Sequence, residues 1–209
     1  SWLYYSPDNQ GKYRIIETSA PEGYYGDWKD DAGVSEDSTD ADKNVYDFVI
    51  SPDAAQNRSA ITITNNQDGT FGNQRVFGKI AFTKNDLEAQ DTVPQGDAAL
   101  TGARYGLYAA KDIVHQDQSG TVLYRKGEEI KVSYVGAENG VRIYRYDEDG
   151  IAEMTTGSGC TIIIENLELG SYYLKEEEAS EGYLADPDQY EFEIVYKDEK
   201  TSVVEISDY

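Results

Sequence analysis

"RIIETSAPEGYYG" (Arg14–Gly26) returns in altered form as "YLKEEEASEGYLA" (Tyr173–Ala185), with a glutamate at the fourth position of each copy, Glu17 and Glu176. The segments downstream keep the same order in both copies. The first continues to "YDFVI" and "AITITN", the second to "YEFEI" and "SVVEIS". A repeat of this length means two copies of one supersecondary plan. The first copy carries an extra polar loop, "DWKDDAGVSEDSTDADKN". The boundary falls near Arg75, in the polar "NNQDGTFGNQR" stretch, giving units of residues 1–75 and 76–209.

The remaining runs are short and β-branched or aromatic, such as "GKIAFTK", "RYGLYAA" and "CTIII", with "NQDG" and "DEDG" between them. This is an all-β pattern. No segment sustains a 3.6-residue period, so at most one short helix is expected. "YDEDG" (Tyr146–Gly150) reads as a hairpin turn.

In strands, alternate residues share a face. Tyr172, Leu174 and Glu176 then point to the core, as do Tyr13, Ile15 and Glu17 in the first copy. Ile80 and Phe82 share a face with Lys84. Val204 and Ile206 share one with Asp208, and Ile61 and Ile63 share one with Asn65. The second unit therefore aims a lysine, a glutamate and an aspartate at one apolar interior. Buried charges are costly unless paired. Two readings remain open. One is a buried ionic network. The other is chemistry: desolvation lowers a lysine's pKa by up to ~3–5 units, and a neutral amine is a nucleophile. A protonated glutamate can then pass protons while the Asp or Asn side chain is attacked. The product is an amide between side chains, and no cofactor is needed.

Composition narrows the rest. The net charge is −22, from 18 basic and 40 acidic residues. Such a chain repels nucleic acid and anionic membranes, so neither is an expected partner. The acidity suits a solvated surface, and 39% hydrophobic residues suffice for a core. No apolar run reaches the roughly 18 residues of a membrane span. No leader is visible, so in a secreted protein this is an interior piece. The single Cys160 excludes an internal disulfide and reads as a buried strand residue. The single His115 reads as a solvated loop residue without partners, which argues against Ser-His-Asp or Cys-His catalysis. Asp37, Asp40 and Asp42 in the acidic loop are weak cation candidates, but their spacing does not fit a D-x-[DN]-x-[DN]-G loop.

"YRIIETSAPEGY" resembles the E-box of Cna B-type (SpaA-like) domains of Gram-positive pilins and surface adhesins. "GKIAFTKND" with "LTGARYGLYAA" is similar to the opening strands of such a domain, and "LELGSYYLKEEEASEGYLADPDQYEFEI" to its later half. The resemblance implies tandem immunoglobulin-like β-sandwiches. It also implies closure by a Lys-to-Asn or Lys-to-Asp isopeptide bond with a helper glutamate. Lys84, Asp208 and Glu176 match those three positions. Ser180 stands where the first copy has Pro21, and no Tyr-Pro-Lys pilin motif is present.

The first unit holds the helper and acceptor positions, Glu17 and Asn65, without a donor lysine. Lys12 points outward beside Tyr13, and Lys29 and Lys43 follow the E-box. Residues 1–75 are thus expected to supply only the later strands of an incomplete sandwich, with the donor outside this chain. The resemblance implies a secreted, wall-anchored or pilus-associated stalk module, with its anchor outside this segment. Its partners would be neighbouring domains of the same surface protein. The alternative is an adhesin module binding a host matrix protein or glycan. A multiple-turnover enzyme is not expected.

Overall fold

A computed structural model describes residues 3–16, 18–26, 45–57, 74–86, 88–94 and 98–206. Glu17, Asp37, Asp40, Asp42, Asn65 and Asp208 lie outside the described residues. The chain divides into two compact units, residues 1–74 with 198–200, and residues 75–197 with 201–209.

The first unit holds β1 (Lys12–Ile16), β2 (Tyr24–Tyr25), β3 (Val45–Val49) and α1 (Pro52–Asn57). β1 and β3 pair antiparallel, with Tyr13 opposite Phe48 and their rings stacked at 5.7 Å. Ser51 caps α1 by accepting the Ala54 amide on Oγ, and Pro52 takes the first helical position. Residues 198–200 return to this unit, where Glu199 accepts the amides of Ala20 and Gly26. Ile15 departs from the expected core face: it is 43% exposed. Alternation gives β1 two faces, but a strand paired into a narrow ladder buries a face only where a second layer covers it.

β4 (Gln74–Arg75) leads into the second unit. There follow β5 (Phe77–Thr83), β6 (Arg104–Ala109), β7 (Ile113–Val114), β8 (Val122–Tyr124), β9 (Val132–Glu138) and β10 (Val141–Tyr146). The remainder are β11 (Met154–Thr155), β12 (Thr161–Leu167), β13 (Gly170–Glu178), β14 (Gln189–Ile194) and β15 (Val203–Ile206). One sheet has the order β15-β5-β12-β10-β9 and the other β11-β6-β13-β14. Their facing residues, among them Ile80, Ile162, Ile164, Leu107, Leu174 and Ile194, are at most 2% exposed. Phe82 of the first sheet meets Tyr105 of the second edge to face at 5.1 Å. The second unit is therefore a two-layer sandwich with one core.

Its first and last strands are neighbours. β15 runs parallel to β5, with Val203 beside Phe77 and Ile206 beside Ile80. Val204 is buried, on the inward face that alternation assigns to it. The turn after Tyr146 is not a hairpin. Asp147 organises it by accepting the Asp149 amide and the Ser133 hydroxyl, but Ile151 then bridges to Val132 and β11 joins the other sheet. The turn hands the chain from one layer to the other.

Gly78 lets the sheets approach. A Cβ there would lie within 2.6 Å of Ile194 Cγ2, and Ile194 is 1% exposed with no room to retreat. Gly78→Ala should cost about 1–3 kcal/mol by overpacking. Adding Ile194→Val should recover part of that loss. Urea unfolding of both single variants and the double variant checks this, and strictly additive losses would contradict the contact.

Candidate functional site

Lys84 lies one residue beyond β5 and continues its inward face after Ile80 and Phe82. Its amide donates to the Cys160 carbonyl at 2.9 Å, which holds the residue against the start of β12. Glu176 lies on β13 opposite Tyr105 of β6, in line with buried Tyr172 and Leu174. The two side chains meet between the sheets. Lys84 Nζ is 2.7 Å from Glu176 Oε1, with the side chains 10% and 1% exposed.

The other carboxylate oxygen is held as well. Glu176 Oε2 accepts the Asp186 amide at 2.9 Å. Tyr183 places its ring 5.8 Å from Lys84 Nζ, within cation–π range. Its hydroxyl donates to Asp86 Oδ2 at 2.7 Å. Asp86 is buried, and its Oδ1 accepts the amides of Glu88 and Ala89. Burial pushes the Tyr105 hydroxyl up, and the neighbouring Glu176 charge adds to this, so Tyr105 stays a neutral wall of the site.

Of the residues that strand alternation singled out, Lys84 and Glu176 are thus brought together. Asp208, Glu17 and Asn65 lie outside the described residues, as do the cation candidates Asp37, Asp40 and Asp42. Among the described residues no group of three or more His, Cys, Asp or Glu is arranged to hold a metal ion. Asp86, Tyr183 and Asp186 escaped the sequence reading, because alternation carries no information across turns. The Gly182–Tyr183 step of the repeated stretch was the available signal.

Two further residues differ from their sequence reading. Cys160 is buried but precedes its strand, with φ of 58°. Burial pushes its thiol up, away from thiolate chemistry. His115 is not a solvated loop residue without partners. Its Nε2 lies 3.2 Å from Arg75 Nη1, and its Nδ1 lies 3.1 Å from Asp117 Oδ1. The same Nδ1 also accepts the Asp117 amide at 3.2 Å. Arg75 in turn pairs at 2.6 Å with Glu168, a buried carboxylate that needs a cation.

A SpaA family model, described as a prealbumin-like fold domain, matches residues 78–209. Solved structures similar to the chain include the Bacillus anthracis TIE protein, at 18% identity and TM-score 0.46, covering 94% of this chain and 24% of that one. The group B streptococcus pilus 2b backbone protein is 18% identical with TM-score 0.37, over 78% and 47% of the two chains. Shaft pilin SpaA from Lactobacillus rhamnosus GG is 16% identical with TM-score 0.38, over 94% and 63%. The chain therefore spans less than two thirds of the length of each of these proteins. No curated protein matches it.

The loop that supplies the Asp186 amide has its own ionic support. The Tyr190 hydroxyl, 2.5 Å away, holds the Asp186 carboxyl below its usual range, and the Asp188 amide adds to this. The same bond pushes the Tyr190 hydroxyl up to about 12. Because the Asp186 pKa is lowered on folding, its contribution is full above the unfolded value of 3.8 and is lost as pH falls through the folded value. The Tyr190 contribution is full below 10.0 and is lost as pH rises through about 12. Tyr190→Phe should therefore destabilise the domain at neutral pH, by an amount that shrinks at both extremes. Denaturant midpoints across pH check this, and a difference that grew on acidification would contradict it.

Proposed function

The chain belongs to the SpaA family of prealbumin-like fold domains, and on that premise we propose that residues 76–209 are a self-crosslinking structural module of a bacterial surface protein. The crosslink joins Lys84 to Asp208, with Glu176 handling protons. The observation that carries this reading is the buried 2.7 Å contact between Lys84 Nζ and Glu176 Oε1. Support comes from β15, whose parallel pairing runs Val203–Ile206 alongside the strand that leads to Lys84. Alternation assigns position 208 to the same face as buried Val204.

In the proposed step, Nζ gives one proton to Glu176 and attacks Cγ of Asp208. An N–C bond forms and one C–O bond of the carboxyl breaks. The oxygen leaves as water, taking up the proton that Glu176 carries and the second proton released by Nζ. Ammonium and carboxylate become amide and water, so no proton is gained or lost overall. Fixed placement of the groups is worth an effective concentration of ~10⁵–10⁸ M. Each molecule reacts once, so the module is a structure rather than an enzyme.

Residues 1–75 are read as the later strands of a first such module, with Glu17 and Asn65 in the helper and acceptor positions. The role follows from the crosslink: a stalk or pilin-like segment at the surface of a Gram-positive cell, beside other domains of the same protein. Among the described residues no helix is long and apolar enough to cross a membrane.

Under denaturing conditions the intact chain should weigh one water less than its sequence. Glu176→Gln should weigh the full sequence, adjusted for the substitution. Unfolding of that variant should be easier, by about 4–5 kcal/mol from the lost link alone, because a bond closing a loop of this length constrains the unfolded chain. A wild-type chain at full sequence mass would leave Lys84 and Glu176 as a structural ion pair.

A further inference from the structure

We propose that Tyr183 is a positioning residue for this crosslink, fastening the turn that orients Glu176 to the strand end that carries Lys84. The inference rests on the crosslink reading and extends it to a side chain that reacts with nothing.

Two anchored segments meet at this tyrosine. On one side is Asp86, two residues beyond Lys84. Its backbone bridges to Asp91, and its Oδ1 gathers the amides of Glu88 and Ala89. At 3% exposure it is a fixed post rather than a mobile surface carboxylate. On the other side is the turn from Ser180 to Tyr183, closed by the Tyr183 amide on the Ser180 carbonyl. Gly182, at φ of 89°, comes close to Ala98, and the Ala99 amide donates to the Glu181 carbonyl. Three residues beyond Tyr183, the Asp186 amide reaches Glu176 Oε2.

The Tyr183 hydroxyl on Asp86 ties these segments together at 2.7 Å. Glu181, Gly182, Leu184 and Ala185 are exposed, with Leu184 at 95%, so Tyr183 is the inward-facing side chain of this stretch. Its ring stands over Lys84 Nζ and shields one side of the amine from water. The chain of contacts therefore runs from Lys84 through Asp86, Tyr183 and Asp186 back to Glu176. Each end of the reacting pair is set by the other's support. A displacement of 1 Å in such a site can cost ~10²-fold in rate.

The test is a time course of cell-free synthesis of the full chain, with aliquots quenched in acidic denaturant and weighed. Wild type, Tyr183→Phe and Tyr183→Leu are compared, with folding followed by near-ultraviolet circular dichroism. Tyr183→Leu loses both ring and anchor and should slow the loss of water by about tenfold to a hundredfold. Tyr183→Phe keeps the ring and should fall between it and wild type. The same substitutions in a Glu176→Gln background measure their effect on folding alone, through the unfolding midpoint. Variants that lower that midpoint yet lose water at the wild-type rate would make Tyr183 merely structural and overturn the inference. A wild-type chain that never loses water would instead overturn the crosslink reading, and this inference with it.

Discussion

A lysine ammonium and a glutamate carboxylate, 2.7 Å apart between two β-sheets, constrain everything around them. Removing two such ions from water costs several kcal/mol each, and their attraction repays this only with good geometry and further hydrogen bonds. The second unit supplies one hydrogen bond and an aromatic ring. Glu176 receives the Asp186 amide on its remaining oxygen, and Lys84 lies under the Tyr183 ring. The pair joins a residue at the end of β5 to one within β13, in opposite layers. A one-residue slip of either strand would turn its charge outward and an apolar neighbour with it. The contact thus fixes register and layer together.

The order of strands adds a second constraint. β5 opens the second unit and β15 closes it, yet the two are hydrogen-bonded neighbours running parallel. Parallel neighbours cannot be joined by a tight turn, so the whole sandwich lies between them in sequence. A covalent link between these strands would enclose nearly all of the second unit in one loop. Force applied at the two ends of the unit would then meet an amide bond rather than a shearing ladder of hydrogen bonds.

Much of this was legible because strands encode faces. Tyr172, Leu174 and Glu176 alternate with Tyr173, Lys175 and Glu177, and the first three are the buried set. Ile80, Phe82 and Lys84 follow the same rule. The family was legible too, since the E-box stretch and strand order resemble SpaA-like domains and the family model matches residues 78–209. Alternation failed where burial depends on a second layer. Ile15 sits on the apolar face of β1 and is exposed. It was silent in turns, where Asp86, Tyr183 and Asp186 act through contacts set by backbone geometry. Of the partners of His115, Asp117 is local, but Arg75 lies 40 residues away in sequence. Pairing at that range is a property of the fold, not of the local pattern.

The most direct measurement is tandem mass spectrometry of a protease digest of the denatured wild-type chain. The account predicts a branched peptide in which the Lys84 side chain is joined to the Asp208 side chain with loss of one water. Linear peptides carrying unmodified Lys84 and unmodified Asp208 in full yield, with no branched species, would contradict it.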